Sequence, residues 1–242
     1  MRKILKNTIL TILILTLSVS TALLAYLHFF APEDNDLSGE WVTELDMTDE
    51  AAVAALAWLQ DIEAVSVSLE DVQACMPELT VQVAMVLEQT APREGTFRCN
   101  VLPESYDACE QAAYEGMAEV FHNLLAERLR MADYTGGTDR ESVERLVAET
   151  FGMSTVSYLM AYGPKLLPAL EDLQAEYDGS GTYAAEEEIL TRQFESGQPG
   201  AVRREHYIRK GDSLLLAEQD QTAIPGVFPD HYPILYALKK AQ

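Results

Sequence analysis

Residues 40–47, Glu-Trp-Val-Thr-Glu-Leu-Asp-Met, alternate strictly: Trp41, Thr43, Leu45 and Met47 fall on one face, Glu40, Glu44 and Asp46 on the other. A period of two is the mark of a half-buried strand. Residues 79–89 repeat it, with Leu79, Val81, Val83, Met85 and Leu87 in phase, and Phe97, Cys99 and Val101 continue it after the turn-forming Thr-Ala-Pro-Arg-Glu-Gly of 90–95. The two stretches read as a hairpin. Between the first strand and this hairpin, Val53, Leu56, Leu59 and Ile62 recur at helical spacing behind Thr48 or Asp49, either of which can cap the helix.

The period then changes for about 75 residues. Ser105 is placed to cap a long helix running to Met131, with Cys109, Ala113, Met117, Val120, Phe121, Leu124 and Leu125 along one side. Thr138 and Glu141 have capping-box spacing for a second helix. Ser154 opens a third, which Gly163-Pro164 interrupts and Leu166–Tyr177 resumes. From Gly181 the alternation returns in two hairpins, one around Glu186-Glu187-Glu188 and one around Lys210-Gly211-Asp212, followed by a last strand near Tyr232-Pro233-Ile234-Leu235. Three strands before the helices and five after them predict an α+β chain. Its β part is an antiparallel up-and-down barrel or half-barrel of about eight strands, formed by 39–103 and 179–242, with a helical insertion at 104–178.

Ahead of the first strand, Thr8–Phe30 is 23 residues without a charge, flanked by Arg2, Lys3 and Lys6 in the basic segment 1–7. As a helix it would span roughly 34 Å, enough for a bilayer core. The expected organisation is a single-pass anchor at 8–30, a linker at 31–38, and a C-terminal domain outside the cytoplasm. A cleaved signal after Ser20-Thr21-Ala22 is the competing reading, and it exports the same domain. Without its three anchor-flanking cations the exported part has 14 basic against 39 acidic residues. Such a charge repels nucleic-acid phosphates and anionic headgroups.

Gly39-Glu40-Trp41 at the first strand, Gly181-Thr182-Tyr183 with Leu190-Thr191, and Tyr207–Lys210 with Leu214–Leu216 together resemble the lipocalin-like barrel proteins of bacterial surfaces. The resemblance covers about half of the exported chain and implies an apolar ligand. It also implies that Trp41, beside Gly39, closes one barrel end beneath a cation near the last strand, for which Lys239 or Lys240 is the candidate. The helical insertion departs from that pattern, and a barrel of this size is often filled by its own side chains.

Chemistry-bearing motifs are sparse. Asp34, Asp36, Ser38 and Gly39 match the start of a calcium loop, but Leu45 stands where a bidentate Glu is required. Glu119 and His122 have di-iron spacing on the long helix with no second pair. Glu205 and His206 are strand neighbours facing opposite ways, and His231 stands alone. There is no nucleophile elbow, phosphate loop or zinc-protease motif, so no catalytic residue, metal or cofactor is expected. The hairpin's mirror arithmetic brings Cys75 and Cys109 to one end as a disulfide, with Cys99 opposite Val86; Cys99–Cys109 and three free thiols are the alternatives. The leading expectation is a non-enzymatic, membrane-anchored module binding a small apolar ligand or a protein partner. A protein–protein module working through the helical insertion and an unrecognised hydrolase are the alternatives.

Overall fold

Eight antiparallel strands close into a barrel in which each strand pairs with the next and the last returns to the first. They are β1 (Gly39–Asp46), β2 (Thr80–Ala91), β3 (Glu94–Val101), β4 (Gly179–Glu186), β5 (Ile189–Phe194), β6 (Val202–Lys210), β7 (Ser213–Glu218) and β8 (Ile234–Leu238). The computed structural model describes residues 36–61, 67–195, 202–218 and 232–239. The anchor segment 8–30 and the linker up to Asn35, with Asp34, lie outside the described residues, as do Ile62, His231 and Lys240. Among the described residues no helix is long and apolar enough to cross a membrane.

The two ends of the barrel differ. At one end lie the entry to β1, the exit from β8 and the tight turns β2–β3, β4–β5 and β6–β7. These turns need left-handed backbone, supplied by Arg93 (φ 65°), Glu187 (φ 49°), Glu188 (φ 64°) and Gly211 (φ 58°). The Glu187-Glu188 pair occupies a two-residue hairpin loop between the paired Glu186 and Ile189. Glu lacks the left-handed tolerance of the usual Asn-Gly, and here both residues are exposed to water.

The six helices among the described residues emerge at the opposite end: α1 (Thr48–Gln60) and α2 (Leu69–Gln73) between β1 and β2, and α3 (Pro103–Met131), α4 (Arg140–Phe151), α5 (Thr155–Tyr162) and α6 (Leu170–Tyr177) between β3 and β4. Their core includes Leu59, Met117, Leu159 and Leu173 together with Leu45, Val81, Val83 and Val101 from the strand ends. The helices are therefore welded onto the barrel rather than tethered to it. This core also takes in Ala51, Ala55 and Val72, so α1 and α2 pack with the other helices against the strand ends.

Local details correct several expectations. Leu102 precedes α3 and Pro103 opens it; the Ser105 hydroxyl instead donates to the Leu102 carbonyl and accepts from the Gln82 amide, pinning the helix to β2. Asp139, not Thr138, caps α4 by accepting from the Ser142 amide. Ser154 caps α5 as expected. The β2–β3 register sets Cys99 opposite Met85, one residue from the expected Val86, because the strands run further into the turn and shift register between Gln89 and Ala91.

Because strand ends and helices share one core, Met117→Ala should lower stability by about 2–5 kcal/mol in one cooperative transition. Urea unfolding followed by far-UV circular dichroism and by Trp41 fluorescence, in a Trp58→Phe background, should give coincident curves. Separated curves would show that the two regions unfold independently.

Candidate functional site

The barrel interior is occupied by side chains. Trp41, Met85, Phe97, Tyr183, Phe194, Tyr207, Leu214 and Tyr236 are all buried in one cluster. Leu37, ahead of β1, folds under the turn end and is fully buried, and its carbonyl accepts from Trp41 Nε1 at 2.8 Å. Gly39 (φ 145°) permits this approach, since a Cβ there would meet Leu238 Cδ1 at 2.5 Å. The expected cation over Trp41 exists but comes from elsewhere. Arg209 lies 5.8 Å from its ring centre, whereas Lys239 turns outward to pair with Glu40 at 2.7 Å. Position 239 follows Leu238 at the end of β8, outside the run of inward residues, while Arg209 stands beside the β6–β7 turn in the inward phase of Glu205 and Tyr207.

Charged groups lie within this apolar interior. Arg192 of β5 and Glu205 of β6 form a two-pronged pair, Nε to Oε2 at 2.7 Å and Nη2 to Oε1 at 2.5 Å, with Arg192 3% exposed and Glu205 fully buried. Tyr232 Oη donates to Glu205 Oε1. Arg192 Nη1 points at Cys99 Sγ (3.5 Å) and Met85 Sδ (3.8 Å), and the guanidinium stands over the rings of Phe97 and Phe194. Burial works against the charge of Arg192, but Glu205 beside it more than offsets this and keeps the guanidinium ionised. Burial pushes Tyr232 and Tyr236 well above the usual phenol range. The strand phase carried a signal for this pair: Arg192 is in step with Leu190 and Phe194, and Glu205 with Tyr207. His206, next along β6, faces solvent, so Glu205 and His206 do not meet.

The thiols are free. Cys75 lies beside Asn123, whose Nδ2 is 3.8 Å from its Sγ, and its backbone carbonyl faces Gly116. Cys109 is about two helical turns from Gly116 along α3, in the core, so the expected Cys75–Cys109 disulfide does not form: α2 carries Cys75 up along α3 instead of leaving it at the hairpin end. Burial raises all three thiols, Cys109 to about 11, which favours the protonated thiol near neutrality.

Glu119 and His122 separate as well. Glu119 pairs with Arg140, while His122, 5% exposed, directs Nε2 at Glu144 Oε2 (2.7 Å) and Thr155 Oγ1 (2.9 Å). Glu144 also accepts from the Thr155 amide and hydroxyl. The network staples α3, α4 and the start of α5. Thr155 is fully buried and His122 nearly so, while the Glu144 side chain is 36% exposed. Among the described residues no cluster of three His, Cys, Asp or Glu could hold a metal. Asp36 accepts from the Ser38 amide in a local turn and Leu45 is buried in the helical core, as a strand entry requires and a calcium loop does not.

The helical surface carries a run of touching aromatic rings. Trp58 of α1 meets Phe121 of α3 (centroids 6.5 Å apart), Phe121 meets Tyr158 of α5 (6.5 Å), and Tyr158 meets Phe151 (4.4 Å) and Tyr162 (5.3 Å). Phe151, Met160 and Tyr162 are 46%, 45% and 65% exposed. Sequence periodicity assigned Phe121 and Phe151 to apolar stripes but could not show that rings from four helices meet at the surface. Elsewhere, a groove of about 320 Å³ between α2 and α3 is lined by Val67, Cys75, Val120 and Leu124, and two polar grooves share Arg98, Ser180 and Glu195 on the outer wall. No protein-family model, curated protein or solved structure matches the chain.

Glu205→Gln leaves the buried Arg192 without its charge partner and should cost about 3–5 kcal/mol, whereas the joint Arg192→Met, Glu205→Leu replacement should recover most of it; urea denaturation of the three variants checks both. The Glu144 carboxyl is held below its usual 4.5: burial opposes ionisation, but the Thr155 hydroxyl and amide and His122 outweigh it. A lowered value means stabilisation present above about pH 4.5 and lost as pH falls through the folded value. Thermal melting of the helices between about pH 6 and pH 3 should steepen toward acid in the native chain and flatten in Glu144→Gln.

Proposed function

We propose that the chain is a membrane-anchored, non-enzymatic module standing outside the cytoplasm, in which a lipocalin-like barrel serves as a pedestal and the helical region meets a protein partner. The observation that carries this reading is the segregation of the two barrel ends, with the chain entering at the turn end and every described helix at the other. If 8–30 crosses the bilayer, the helical region is the part furthest from it.

The filled interior supports a surface partner over a ligand held inside the barrel. The exposed rings of Phe151 and Tyr162, backed by Tyr158, Phe121 and Trp58, supply apolar anchors of the type that dominates protein interfaces. Residues 103–178 carry 15 acidic against 5 basic side chains, so the partner that fits is a basic polypeptide offering apolar residues to the rings.

A benzophenone photo-crosslinker at Met160 or Tyr162 of the full chain, in membranes of its source cell, should give one discrete adduct with a basic protein. The same group at Thr96 on the outer wall should give none. Phe151→Ser with Tyr158→Ser should weaken recovery of that protein about tenfold or more. Equal adducts from all three positions, or none from any, would rule out the helical face as the docking surface.

A further inference from the structure

The barrel wall carries a second exposed apolar surface, away from the helices. Ile208 of β6 pairs with Leu215 of β7, and Leu215 pairs with Leu235 of β8, so three large aliphatic side chains form one row across neighbouring strands. All three point outward, since Tyr207, Leu214, Leu216, Ile234 and Tyr236 beside them fill the interior. Ile208 is 62% exposed and Leu235 61%. Ala217 on one side of the row, and Ala237 with Val42 of β1 on the other, share the same outer face. An outer wall facing only water would alternate to polar residues at these positions.

The flanks of this row have opposite charge. On the β6 side the outward polar residues are Arg204, His206 and Lys210; on the β1 side they are Glu44, Asp46 and Glu40, the last paired with Lys239. A basic strand is conspicuous in a chain with 39 acidic and 17 basic residues. A partner of uniform charge would meet one flank favourably and the other unfavourably. A surface with the same two flanks in reverse order meets both well.

We infer that this wall is the contact between two copies of the chain, related by a two-fold axis running parallel to the strands between β7 and β8. That axis lays Leu215 of one copy against Leu235 of the other, and brings β6 of each copy across from β1 of the other, with Lys210 level with Val42 and diagonal to Glu44. It is an isologous contact and closes at two copies. The walls curve apart on either side of the axis, and the long side chains Arg204, Lys210 and Glu44 stand where the gap widens. The same axis keeps both turn ends on one side, as two chains held in one bilayer require; in that respect alone it rests on the anchored reading above.

The test uses the full chain in non-ionic detergent. Sedimentation velocity should show a concentration-dependent dimer. In a Cys75→Ser background, a mixture of Leu215→Cys and Leu235→Cys chains should form an intermolecular disulfide under mild oxidation, and a mixture of Thr96→Cys and Leu235→Cys chains should not. Lys210→Glu and Glu44→Lys should each weaken the dimer about tenfold or more, and the double variant should recover it, while circular dichroism melting stays unchanged. The recovery separates a charge contact from a folding defect. A monomer at every concentration overturns the proposal. So does a dimer indifferent to the charge reversals, which would place its contact in the anchor or on another face, and so does a monomer holding a different protein on this wall. Crosslinking from Tyr162 is independent of all these outcomes.

Discussion

A closed barrel of eight strands filled with side chains withholds bulk water from any charge inside it, and Arg192 is the side chain on which that constraint falls. Its phase along β5 turns it inward with Leu190 and Phe194. An unpaired guanidinium there would cost several kcal/mol. Glu205 answers it from β6 in a two-pronged geometry, Tyr232 occupies a further lone pair of the carboxylate, and the sulfurs of Cys99 and Met85 line the remaining side. One interaction thus ties β5 to β6, reaches β2 and β3 across the barrel, and holds the residue that leads into β8. Hydrophobic packing alone would accept neighbouring registers at modest cost; a slip of one residue would turn Arg192 outward while Glu205 stayed buried.

Aromatic rings, aliphatic side chains and the ion pair fill the space that a hollow barrel would offer a ligand. The surfaces that remain are external. The helical region is continuous with the barrel because Leu45, Val81, Val83 and Val101 are common to its core, so the aromatic face is built on helices packed directly onto the strand ends. The His122–Glu144–Thr155 network adds to that rigidity by fixing the helix α5 that carries Tyr158, Met160 and Tyr162.

Much of the fold could be read directly. Alternation located the strands and the three-plus-five arrangement, and helical spacing located the long insertion. The errors cluster where the outcome depends on a neighbour distant in sequence. Ser105 has the chemistry of a cap, yet its hydroxyl is engaged by the Gln82 amide, so Leu102 and Pro103 open the helix. The disulfide pairing assumed that Cys75 stays at the hairpin end, and α2 carries it along α3 to Asn123. Lys239 has the right charge near the last strand, but Arg209 is the cation that reaches Trp41.

The sequence by itself determined the period of each segment, and with it the strand and helix identities and the acidic surface. Those depend on spacing along the chain, which is local. Only the tertiary structure decided that Arg192 finds Glu205, that rings from four helices meet at the surface, and that Ile208, Leu215 and Leu235 form a row flanked by opposite charges. Each of these joins residues through closure and register of the barrel, and those follow from packing of the whole chain rather than from the periodicity of any one segment.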